Sequence, residues 1–127
     1  MNAIHLLAAT VIAVAGSAHA ASGHDHAHEH KPLHGGVVTE VKDVDYELVA
    51  KPDLIQLHLR DHGKAVDVAK VNAKLTILVG SEKQEIELKP AGTLLEAKGS
   101  FKVAGAKVIA VVTLPGKPQA TVRFALK

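Results

Sequence analysis

From residue 36 onward the chain alternates apolar and polar positions in short runs, broken by turns rich in Gly, Pro, Asn and Lys. A period of two lines up the apolar side chains on one face of a half-buried strand. The runs predict strands at 36–41 (GVVTEV), 44–51 (VDYELVAK), 54–60 (LIQLHLR) and 65–69 (AVDVA). Further strands are predicted at 73–79, 84–89, 94–97, 107–114 and 120–126. Val and Ile dominate these segments and suit a pleated surface. No stretch sustains a helical period, and AGTLLEAKGSF has room for one turn at most. The pattern predicts an all-β fold, an Ig-like antiparallel β-sandwich of about seven to nine short strands.

One hairpin can be registered from its hydrophobic positions. Closing LIQLHLRDHGKAVDV over His62-Gly63 pairs Asp61 with Lys64, Leu59 with Val66, His58 with Asp67 and Leu57 with Val68. Gly63 supplies the positive φ that such a turn needs. Leu57, Leu59, Val66 and Val68 then share one face, and a one-residue slip would scatter them. His58 is expected on the opposite face, looking away from the core toward the Asp67 carboxylate. In the last strand Val122, Phe124 and Leu126 point one way, Arg123 and Lys127 the other.

The alternation does not extend to the N-terminus. Residues 1–20 read as a signal peptide: an apolar run from Leu6 to Ala15, then Ala18-His19-Ala20 as a small-x-small cleavage site. The apolar run is short of the roughly 20 residues that span a bilayer. No membrane anchor is therefore expected after cleavage, and the location is expected to be periplasmic or secreted. Residues 21–35 are polar, His-rich and without apolar period, the composition of a disordered arm. The β-sandwich domain is expected over 36–127.

Composition narrows the chemistry. The chain has no cysteine, and its one methionine is Met1. Thiolate sites, redox pairs, a blue-copper centre and soft Cu(I) ligation are thereby excluded from the secreted protein. The net charge of +2 comes from interspersed signs, and aromatic residues make up 2% of the chain. A base-stacking platform needs more aromatics than that, so nucleic acid is not an expected partner. Ser81 and Ser100 fall in predicted turns with no His or Asp at a recognisable spacing, and the acidic residues scatter over turn and solvent faces. A non-enzymatic role is expected.

What remains is imidazole. In HDHAHEH, His24, His26, His28 and His30 occupy alternate positions, about 6–7 Å apart on one side of an extended chain. Neutral imidazole suits zinc, Cu(II), cobalt and nickel, with raw affinity following the Irving–Williams order. At pH 7 an unperturbed histidine is mostly neutral and able to ligate. An arm of this kind would bind several divalent ions weakly, because ordering it costs about 1–2 kcal/mol per residue. His34, in HGG directly before the first strand, is either a ligand at the hinge between arm and domain or an exposed turn residue. Gly35 and Gly36 permit a tight backbone approach there. His58 is either an oriented ligand, its ring held by Asp67, or one half of a surface hydrogen bond. His62 sits in the hairpin turn, either an exposed turn residue or a third ligand of a folded metal site with His34 and His58, which the sequence by itself does not bring together. Loss of one alanine beyond the cut would begin the chain Ser22-Gly23-His24, a square-planar Cu(II) or Ni(II) chelate.

The stretches HGGVV, DYELVAK, LIQLHLRDHGK and LPGKPQATVRFAL together resemble small secreted bacterial proteins that join a His-rich N-terminal segment to a β-sandwich. They are similar to the extra N-terminal region of some periplasmic adaptor subunits of cobalt–zinc–cadmium type heavy-metal efflux pumps. The resemblance covers about His24 to Leu126. It implies a periplasmic accessory to metal handling, with a metal or a metal-efflux adaptor or pump as partner. By motif it assigns a ligand role to His34 and, loosely, to the histidines before it. The chain ends at Lys127 without the hairpin, lipoyl-like and barrel parts of an adaptor, so a free carrier or buffer is expected. Two rival expectations stand beside it. One is a protein-interaction or structural sandwich with an incidental His-rich spacer, and the other is a pH sensor whose arm charges near pH 6.

Overall fold

The computed structural model describes residues 31–127, and the segment expected to be a signal peptide, with His24, His26, His28 and His30, lies outside them. Nine strands form, close to their expected places: β1 Val37–Val41, β2 Val44–Ala50, β3 Leu54–Asp61, β4 Lys64–Ala65, β5 Asn72–Val79, β6 Glu82–Ala91, β7 Leu94–Lys98, β8 Lys107–Thr113 and β9 Ala120–Ala125. Every pairing is antiparallel. The strands run in the order β1-β2-β3-β7-β6-β5-β8-β9, with β4 paired to the end of β3.

The Ig-like all-β sandwich expected from the chain is the fold that forms, but its two layers are continuous and approach a barrel. Strand β6 makes the continuity. Its residues Glu82 to Leu88 pair with β5, and Lys89 to Ala91 pair with β7 in the other layer. At the far ends of the path, the Thr39 hydroxyl of β1 donates to the Arg123 carbonyl of β9 at 2.8 Å.

The core lies between the layers, filled chiefly by alternate residues of β2, β3, β5, β8 and β9. One layer contributes Val44, Tyr46 and Leu48 from β2, Ile55, Leu57 and Leu59 from β3, and Leu95 from β7. The other contributes Leu75 and Ile77 from β5, Val108 and Val112 from β8, and Val122 and Phe124 from β9. Each such side chain, fully buried, stabilises by about 1.5–3 kcal/mol relative to exposure.

The β3–β4 hairpin has the expected register where it pairs: Asp61 opposite Lys64 and Arg60 opposite Ala65. Leu57, Leu59 and Val68 are buried, and Val66 packs against them. The expected extension to Asp67 is corrected, because β4 stops at Ala65. Asp67 instead accepts the Ala69 N–H at 3.0 Å, turning the chain so that Val68 and Val71 enter the core. His58 therefore does not face Asp67. Its neighbour across the ladder is Glu47 of β2.

Candidate functional site

Strand β2 departs from simple alternation. Val44 to Val49 are all buried, including Asp45 and Glu47 on the face turned away from the core. That outer face would be wet if nothing covered it. Residues 31–36 fold back over it, held by a single carboxylate. Glu47 Oε1 accepts the Leu33 N–H at 2.9 Å, and Oε2 accepts the His34 and Gly36 N–H groups at 2.8 and 2.9 Å. Arg60, opposite Asp45 on β3, places Nη1 3.6 Å from Glu47 Oε1 and donates from Nη2 to the Lys31 carbonyl at 3.1 Å. The ionic contact is beyond hydrogen-bond reach, and Nη1 has no other partner among the described residues.

Glu47 has no solvent exposure. Burial by itself would raise its carboxyl pKa. The amides of Leu33, Gly36 and His34, with the charge of His34, outweigh it and leave the group below its ordinary value of 4.5. It is held as a carboxylate, and three otherwise unpaired backbone donors are satisfied at once.

Gly36 is the residue that makes the approach close. A Cβ there would lie 2.3 Å from the Leu48 carbonyl oxygen, so no other residue fits without moving the strand. Gly35 has φ +78°, the left-handed region that glycine enters freely. Both glycines of HGG thus have the backbone role expected of them. The consequence is that residues 31–35, assigned to the arm from composition, lie against the domain.

With its backbone pinned, His34 lays its exposed ring on His58. The ring centroids are 3.7 Å apart and the planes 11° from parallel. His58, on the outer face of β3 as expected, is half-buried. Its Nε2 is buried and has no hydrogen-bond partner among the described residues. The His58 pKa is lowered from 6.5, first by burial and then by the charges of His34 and Arg60, against an opposing effect of Glu47. The imidazole is neutral at pH 7, the form that ligates metals.

His62 stands apart. It takes φ +53° at the hairpin tip, is exposed, and contacts Asp61 Oδ1 through Nδ1. Among the described residues no three His, Asp or Glu side chains gather in a way that could hold a metal ion. The fold therefore brings together His34 and His58 and leaves His62 out. Glu47 and Arg60 are the partners that sequence reasoning passed over. One signal pointed toward them: a glycine directly ahead of a strand marks a close backbone approach.

No family model matches the chain. No curated protein matches it either. Among solved structures, the bromine-derivative crystal structure of BhCBM56 is similar at a TM-score of 0.45 and 12% identity, covering 72% of this chain and 99% of that one. So distant a likeness carries no functional argument.

Proposed function

We propose that the protein is a non-enzymatic, periplasmic or secreted binder of divalent transition-metal ions, zinc, Cu(II), cobalt or nickel. In this reading ions are captured by His24, His26, His28, His30 and His34 and passed to a partner in metal efflux or resistance. The observation that carries the reading is the anchoring of His34. Glu47 holds its amide while its ring stays exposed against His58, so the last histidine of the run lies on an imidazole that burial keeps neutral at pH 7. With no cysteine in the chain, imidazole is the side-chain nitrogen ligand it offers in quantity for these ions. The domain holds His34, the last histidine of the run, and the efflux partner rests on the resemblance of the HGGVV region to adaptor subunits.

Calorimetric titration of the exported chain with Zn(II) and Cu(II), repeated on the H24A/H26A/H28A/H30A variant, tests the proposal. The expected result is several ions bound by the native chain and most of that capacity lost in the variant. Equal stoichiometry and affinity in the two would remove the histidine run from the function.

A further inference from the structure

We propose that His34 and His58 together form a metal site of the folded domain, taking one divalent cation of the Cu(II) or Ni(II) class. The inference rests on the metal-binding reading above and adds to it a defined site in the folded domain that shares only His34 with the histidine run.

The argument begins with an unsatisfied atom. An imidazole nitrogen buried without a partner costs about 1–3 kcal/mol, and native structures rarely leave one without a reason. His58 Nε2 is such an atom among the described residues. The carboxylate nearest in the ladder does not serve it, because Glu47 directs its oxygens to the amides of Leu33, His34 and Gly36. Glu47 is equally unavailable as a ligand. It does offset the charge of Arg60, so an arriving cation does not meet an uncompensated guanidinium.

The stacked arrangement is the ion-free form of this site. A metal bound by imidazole lies near the ring plane, about 2.0–2.1 Å from nitrogen. Two nearly parallel rings with centroids 3.7 Å apart share no such point. One ring must turn, and the fold indicates which. His58 is half-buried on its strand, whereas His34 has an exposed ring on a backbone fixed at its amide. Rotation of an exposed side chain takes picoseconds to nanoseconds. Turning His34 out of the stack swings one of its nitrogens toward the ring plane of His58, where the same ion can meet His58 Nε2. Two imidazoles with water in the remaining positions suit the tetragonal preference of Cu(II) and Ni(II).

The test uses the full chain carrying H24A/H26A/H28A/H30A, titrated with Cu(II) by calorimetry, with ring-proton spectra followed under Zn(II). One Cu(II) per chain is expected to remain. Adding His58→Phe, which keeps an aromatic ring beneath His34, should abolish it. Adding His34→Ala should weaken it more than about tenfold. The His34 and His58 ring protons should shift on Zn(II) addition as the stack opens. An arm-substituted chain that takes no Cu(II), or takes it equally well with His58→Phe, overturns the site. Uptake that vanishes with the four arm histidines overturns this site and leaves the histidine-run reading standing. A native chain that binds no ion overturns both.

Discussion

Glu47 and His58 are direct neighbours across the β2–β3 ladder, yet the carboxylate binds the backbone of residues 33–36 while the imidazole packs under the ring of His34. The two side chains hold the same segment by different means. One fixes its backbone, and the other receives its side chain.

Replacing Glu47 with Gln should therefore loosen residues 31–36 and destabilise the domain. Removing one partner of a buried ion pair costs about 3–5 kcal/mol, because Arg60 would be left buried without its counter-charge. Denaturant unfolding reads the loss. Hydrogen exchange at the amides of Leu33, His34 and Gly36 should accelerate more than exchange in β5 and β8.

The same carboxylate sets an acid limit. Its pKa is lower folded than unfolded, so the unfolded chain takes up the proton first as pH falls. The stability due to Glu47 is full above the ordinary carboxylate value of 4.5 and is lost as pH drops through the depressed folded value. Denaturation midpoints of the native chain and E47Q, compared from neutral pH downward, should converge in that acidic window. A gap that stays constant would assign the Glu47 effect to something other than its charge.

Gly36→Ala should be more damaging than Gly35→Ala. At position 36 the new Cβ meets the Leu48 carbonyl oxygen at 2.3 Å, a backbone atom that cannot swing aside, and overpacking of this kind costs about 1–3 kcal/mol or more. At position 35 nothing lies within 4 Å, and the cost is the positive φ alone, roughly 1–2 kcal/mol. Thermal melts of the two variants order them. Equal losses would contradict the close approach.

His58→Phe should leave stability within about 1 kcal/mol of the native chain, since it removes an unpaired buried nitrogen and keeps a ring for His34 to stack on. A large loss in the melting temperature would mean that the imidazole makes a structural hydrogen bond.

Strand positions and the inward faces were legible in the chain because they depend on a local property, the two-residue alternation of side chains. The Asp61–Lys64 register, the outward direction of His58 and the glycine roles in HGG followed from the same local rules. What lies opposite an outward residue does not. The partner of His58 is Glu47 and not Asp67, because β4 ends at Ala65 when Val68 and Val71 turn into the core.

Glu47 looked like one more solvent-face acid, since VDYELVAK places it between inward-facing Tyr46 and Leu48. Its burial depends on residues 31–36 folding back over β2, a contact between segments eleven to fourteen residues apart. The amino-acid sequence alone determined the secondary structure, the core face and the absence of any cysteine thiolate. Only the tertiary structure decided that His34 meets His58, because that pairing depends on how separate segments pack, and no local period encodes it.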